Sequence, residues 1–169
     1  MRCRRNSVWA WMGLALAVGA VTLRAEIAVG DRFPSLQEAE LSDGVLPEVE
    51  GRVLLVDFWG SWCAPCKASF PAFARLHEEF GVQGLVVVAV SVDEKPAAFA
   101  AFVKKLNPPF ATVRDATHKL ASAVQVPAMP TTYVVDRTGR VRFVHRGFHG
   151  ASTERELRLQ IGALLAERG

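Results

Sequence analysis

Cysteine is scarce in this chain: of 169 residues only Cys3, Cys63 and Cys66 carry a thiol. A structural zinc site needs four ligands. Beyond residue 25 the sequence offers Cys63 and Cys66 no third cysteine and no His-x3-5-His pair near them; His145 and His149 are four apart but fall on an expected strand end and loop. No metal is therefore expected. Nor is there a Gly-rich phosphate loop, an internal repeat or a low-complexity tract, and no nucleotide or other cofactor is expected. No uncharged run reaches the roughly 20 residues that usually span a bilayer core of about 30 Å. Val8 to Leu23 comes nearest, with 16 residues, or about 24 Å as a helix.

That run follows Arg2, Arg4 and Arg5, the pattern of an export signal. Residues 1–25 are expected to be a cleaved signal peptide or, if uncleaved, an N-terminal membrane anchor, with 26–169 forming one domain. Ala20 and Ala25 end the two candidate cleavage sites. Loss of residues 1–25 removes four of 20 basic residues and no acid, leaving 16 against 17. The basic pI of about 9.0 thus belongs to the leader. A domain at formal charge −1 lacks the clustered cations that phosphate binding requires, which argues against nucleic acid. Arg137, Arg140, Arg142 and Arg146 concentrate in one expected hairpin, as a solvated strand face would. Cys3 leaves with the leader, so the exported domain keeps only Cys63 and Cys66. In an oxidising envelope compartment such a pair is used rather than ignored.

Half of the residues are hydrophobic, enough for a single-domain core. Residues 26–52 carry turn signals and little periodicity, and form a lead-in with at most short edge strands. Val53 to Phe58 and Leu85 to Val92 are short runs of branched and aromatic residues, the mark of strands buried on both faces. Cys66 to Phe80 places Phe70, Phe73, Leu76 and Phe80 at helical spacing, with a kink expected at Pro71. Pro96 to Leu106 puts Phe99, Phe102, Val103 and Leu106 on one helical face, and Ala116 to Val124 is a weaker helix. Tyr133 to Val135 and Val141 to Val144 flank the turn Asp136-Arg137-Thr138-Gly139. A last helix over Thr153 to Glu167 opens on a Thr153/Glu156 capping box and carries Leu157, Ile161, Leu164 and Leu165. This order implies an α/β layered domain.

Cys63 and Cys66 fall where the first strand gives way to a helix. A helix N-terminus favours an anion, so Cys63 is expected to be the more acidic thiol and the nucleophile. Cys66, one turn on, is placed to resolve a mixed disulfide. A stabilising staple is a poor alternative, because closing about four residues is worth only about 2 kcal/mol against roughly 4.7 for a hundred. Asp57 lies in an otherwise apolar strand, where burial penalises its charged form and raises its pKa.

Val56-Asp57-Phe58-Trp59-Gly60-Ser61-Trp62-Cys63-Ala64-Pro65-Cys66-Lys67 with Pro71 resembles the active-site segment of thioredoxin-fold proteins. Met129-Pro130-Thr131-Thr132 resembles their cis-proline loop. Over about residues 30–165 the chain is similar to the exported TlpA/ResA type of thioredoxin-like protein. The resemblance implies a thioredoxin fold, a central mixed β-sheet flanked by helices, with an inserted helical segment before the cis-proline loop. It implies a redox-active disulfide between Cys63 and Cys66, with Asp57 exchanging a proton with Cys66 and Pro130 facing the pair. Trp62, Ala64, Pro65 and Met129 become substrate-facing, and Trp59 packs beside the site. Ala128, where such loops usually carry glycine, and Pro127 depart from the pattern.

The implied activity is thiol–disulfide exchange in the periplasm or cell envelope, on exported proteins with cysteine pairs such as apocytochrome c or metal-site assembly proteins. Ala64-Pro65 lacks the histidine of strongly oxidising relatives, which favours a reductant. A reductant with no second redox domain requires a membrane thiol-transfer partner. A monomer is expected, without an added dimerisation segment. Three other classes share the fold: a non-catalytic binding, chaperone or copper-delivery module; an oxidase or isomerase; and a peroxidase. The last would resemble Pro-x-x-x-Thr-x-x-Cys, whereas Trp59-Gly60-Ser61-Trp62 precedes Cys63 here.

Overall fold

The computed structural model describes residues 26–167. Cys3 and the expected leader lie outside them. Among the described residues no helix is long and apolar enough to cross a membrane.

The elements follow in the order β1 (Val53–Trp59), α1 (Ala64–Phe80), β2 (Leu85–Ser91), α2 (Pro96–Leu106), β3 (Ala111–Arg114), α3 (Lys119–Val124), β4 (Thr131–Val135), β5 (Val141–Arg146) and α4 (Ala151–Ala166). Five strands form one sheet in the order β3-β2-β1-β4-β5. β1 and β2 pair parallel, as do β2 and β3, while β4 lies antiparallel to both β1 and β5. Every residue of β1 is buried, as its unbroken apolar run implies for a central strand covered on both faces.

Because side chains alternate along a strand, β1 feeds two cores. Val53, Leu55 and Trp59 pack with Phe70, Phe73 and Leu76 of α1, Phe99 and Phe102 of α2, and Leu157, Ile161 and Leu164 of α4. Leu54, Val56 and Phe58 pack on the opposite face with Leu120 and Val124 of α3 and with Phe33, Leu36, Ala39 and Val49 of the lead-in. Each large apolar side chain buried in this way is worth about 1.5 to 3 kcal/mol. The lead-in carries no strand of its own; it meets the sheet margins through the isolated bridges Ser42 to Arg114 and Arg32 to Arg140 and through the ion pairs Asp43 to Arg114 and Glu26 to Arg146.

Several expectations from sequence are corrected. β3 was not anticipated: it is four residues long, follows Pro108 and Pro109, and buries only Val113 and Arg114. The stretch between β2 and the Pro130 loop therefore contains a strand as well as helices. α1 runs from Ala64 to Phe80 with the exposed Pro71 inside it, a position that leaves one carbonyl of the preceding turn without its helical donor. Leu106 ends its helix 38% exposed instead of in the core. α3 starts only at Lys119, since His118 takes a left-handed backbone, φ 55°, and the Asp115 carboxylate accepts the Ala121 N–H. The capping box of the last helix does not form. Gly150 is the N-cap, and Thr153, already helical and buried, accepts the His149 N–H instead. The arginines of the hairpin are locally engaged: Arg142 with Asp136 and Glu167, Arg146 with Glu26.

Candidate active site

β1 ends at Trp59, and its carbonyl accepts the Val92 N–H, which ties the tops of β1 and β2 together. The chain then turns through Gly60, Ser61 and Trp62 into α1. Cys63 is the N-cap of that helix, with extended backbone (φ −87°, ψ 109°), and Pro65 sits in the first turn, where its missing N–H costs nothing. Cys63 and Cys66 are joined in a disulfide, Cα to Cα 5.3 Å. The Cys66 N–H donates to Cys63 Sγ at 3.2 Å. A helix-terminal N–H thus already points at the sulfur that would carry negative charge once the bond is reduced, the arrangement that lowers a thiol pKa. Cys66 is fully buried and Cys63 nearly so, at 5% exposure. This difference favours Cys63 as the sulfur that an incoming thiol or disulfide reaches.

Asp57 shares its sheet face with Leu55 and Trp59, the face covered by α1 and the cysteines. It is fully buried. Thr132 Oγ1 donates to its Oδ1 at 2.7 Å, and Oδ2 has no protein partner. Burial pushes the carboxyl up to about 8, against the smaller opposing effect of the Thr132 hydrogen bond. The sheet thus holds an acid able to gain or lose a proton near neutrality.

The Met129–Pro130 peptide bond is cis. Its loop is fixed at both ends: Thr131 Oγ1 donates to the Ala128 carbonyl at 2.8 Å, and the Gly147 N–H donates to the Pro130 carbonyl at 2.8 Å. Met129 is half-buried and packs against both apolar cores, including the one that contains Cys63 and Cys66. Ala64 and Pro65 are exposed. Trp62 is 67% exposed, with its indole over Gly60, where a Cβ would come within 2.6 Å of Cε2. Trp59 is fully buried between Phe70 and Phe102, at ring-centroid distances of 5.1 and 4.3 Å.

A further group of residues escaped the sequence. Asp93, just past the end of β2 and buried, accepts the Ser61 N–H at 3.1 and 3.0 Å, Ser61 Oγ at 2.8 Å and Ser91 Oγ at 2.8 Å. The Arg114 guanidinium donates to the carbonyls of Asp93 and Glu94 and pairs with Asp43 of the lead-in at 2.6 Å. The loop that presents Trp62 and Cys63 is therefore clamped from behind by a carboxylate 32 residues away. The available signal was a carboxylate directly after a buried strand that ends level with β1.

Fold and site together define a thioredoxin-fold protein with a Cys-x-x-Cys disulfide at a helix N-terminus. A family model confirms the grouping over residues 29–144, and the chain belongs to the AhpC/TSA family. It is similar to proteins named thiol-disulfide oxidoreductase ResA: 35% identical over 96 residues to that of Bacillus subtilis, covering 57% of this chain and 54% of the relative. With the Oceanobacillus iheyensis protein it shares 30% over 125 residues, 70% of this chain and 65% of the relative. The chain thus spans about half to two thirds of the length of these two relatives. Among solved structures, a thiol:disulfide interchange protein DsbE from Chlorobium tepidum matches with a TM-score of 0.73 and 28% identity, over 83% of this chain and 100% of that one.

Proposed function

We propose that the protein is an exported thiol–disulfide oxidoreductase of the cell envelope that reduces disulfides in other exported proteins. The observation that carries this reading is the Cys63–Cys66 disulfide at the N-terminus of α1, with the Cys66 N–H directed at Cys63 Sγ. In the reduced protein the Cys63 thiolate attacks one sulfur of a substrate disulfide. A Cys63–substrate disulfide forms and one substrate thiolate leaves. Asp57 takes the proton of Cys66, directly or through water, and the Cys66 thiolate attacks Cys63 Sγ. The second substrate thiol is released and the protein is left as its disulfide, two electrons having passed to the substrate. Met129 and Pro130 align the target chain, as an added strand does in strand-pairing recognition, and Trp62, Ala64 and Pro65 meet it.

Regeneration requires a dithiol donor, which we assign to a membrane thiol-transfer protein. Residues 1–25 supply export, and tethering if uncleaved. Cysteine pairs of apocytochrome c or of metal-site assembly proteins are the substrates in view. The peroxidase alternative is not supported by the residues around Cys63, for Trp59, Gly60, Ser61 and Trp62 supply neither the proline nor the threonine of that chemistry. The test is a redox titration of the purified protein in glutathione buffers, followed by tryptophan fluorescence. A potential near or below about −220 mV supports the reductant, one near −120 mV makes the protein an oxidant, and the lack of a reversible transition removes the redox mechanism.

A further inference from the structure

The chain contains five lysines. Lys119 pairs with Glu40. Lys67, Lys95, Lys104 and Lys105 are exposed and make no ion pair or side-chain hydrogen bond among the described residues. Five of the arginines, Arg75, Arg114, Arg142, Arg146 and Arg158, are each held by a carboxylate, whereas Arg32, Arg52 and Arg155, like these lysines, make no ion pair among the described residues.

Three of these four, Lys67, Lys95 and Lys105, surround one surface. Two shallow grooves adjoin along the solvent side of α2 and share Ser61 and Ala98. One is walled by Trp62, Lys95 and His118, the other by Lys67, Lys105 and Leu106. Ala98 and Ala101 keep the floor low, and Trp62 and Leu106 supply exposed apolar area at either end. The carboxylates here are Glu94, at the rim, and Asp93, which is consumed by Ser61 and Ser91. The surface next to the cysteines is thus locally cationic, on a domain whose residues 26–169 sum to −1.

We propose that this face of α2 is a docking surface for an acidic polypeptide: a substrate that carries carboxylates beside its cysteine pair. The proposal rests on the function proposed above for the Cys63–Cys66 site and adds the substrate's charge to it. A single exposed Lys–carboxylate pair contributes only about 0.2 to 1 kcal/mol. Several of one sign around a reactive group instead raise the rate of encounter, and that gain fades as salt screens it. The apolar floor between the cations accepts the intervening residues of an extended chain.

The experiment uses the full chain, pre-reduced, and two synthetic peptides with the same internal disulfide, one flanked by glutamates and the other by glutamines. Single-turnover second-order rate constants are measured for the wild type and for a Lys95→Gln/Lys105→Gln variant, at low and high salt. The expected result is an advantage of about tenfold for the glutamate peptide at low salt, lost in the variant and at high salt. Equal rates for both peptides, or a variant that slows both alike, overturn the docking surface and leave the dithiol chemistry intact. A wild type that reduces neither peptide overturns the proposed function itself. Wild-type binding to anionic vesicles that the glutamate peptide does not compete, together with equal peptide rates, assigns the surface to a membrane and overturns the proposal as well.

Discussion

Thr132 Oγ1 donates a 2.7 Å hydrogen bond to Asp57 Oδ1, and the two residues are direct cross-strand partners in the antiparallel pairing of β4 with β1. A buried acid in the middle of the sheet thus has one of its two oxygens served and the other left bare. Its carboxyl is pushed up to about 8 by burial. In the unfolded chain the same group ionises near 3.9. The folded state therefore holds the proton more tightly, and the stability this confers is full below about pH 4 and is lost as pH rises towards about 8. Asp57→Asn is expected to be more stable than the wild type at pH 8, by a few kcal/mol, with the difference shrinking towards pH 4. Denaturant unfolding of both proteins across that range checks it, and a pH-independent difference would contradict it.

Removal of the donor acts in the opposite sense on the charged form. In Thr132→Val the anion of Asp57 loses its hydrogen bond, so the carboxyl titrates higher than in the wild type. The expected cost in stability is about 1 to 3 kcal/mol above pH 8, where the acid is ionised, and smaller at pH 5. Infrared titration of the carboxyl band follows the shift directly.

Cys66→Ser separates the two chemical steps. Cys63 still attacks, but nothing resolves the product, so a mixed disulfide with substrate accumulates and is visible as a mass increase equal to the substrate. Cys63→Ser accumulates none. Trapping by both variants, or by neither, would refute the assignment of nucleophile and resolving thiol.

Asp93→Ala leaves the Ser61 N–H, Ser61 Oγ and Ser91 Oγ without their shared acceptor. A loss of about 2 to 3 kcal/mol is expected, whereas Ser61→Ala, which keeps the amide bond, costs about 1 kcal/mol. Thermal unfolding of the oxidised proteins measures both, and equal effects would mean that the amide contact carries nothing.

Gly44 lies so close to β3 that an added Cβ would sit 2.0 Å from the Thr112 carbonyl oxygen, a backbone atom that cannot step aside. Gly44→Ala is therefore expected to lift the lead-in from the sheet at a cost of about 1 to 3 kcal/mol. Faster amide exchange at Ser42 and Arg114, which bond to each other across this junction, is the accompanying signature.

What was legible in the sequence was whatever a local pattern encodes. β1 and β2 announce themselves as unbroken branched apolar runs, α1 by the spacing of its phenylalanines, and the cysteines by their place between the two. β3 was silent because a four-residue edge strand after two prolines buries little and shows no period. The capping box failed because Gly150 turns with φ 65° and ψ −134°, a backbone that starts the helix before Thr153 can cap it. The Asp93 clamp was hidden for another reason: it joins Ser61 to a residue 32 positions on, and only the parallel register of Trp59 with Ser91 brings the two strand ends level.

The bridges from Ser42 to Arg114 and from Arg32 to Arg140 lie on opposite margins of the sheet. Outer strands with bare amides and carbonyls recruit strands from other molecules, and this is how sheet proteins aggregate. Here one stretch without regular structure reaches both margins and occupies a place on each. The part of the domain with the least secondary structure thus shields a point on each border against strand-by-strand growth, while its Phe33, Leu36, Ala39 and Val49 fill one of the two cores.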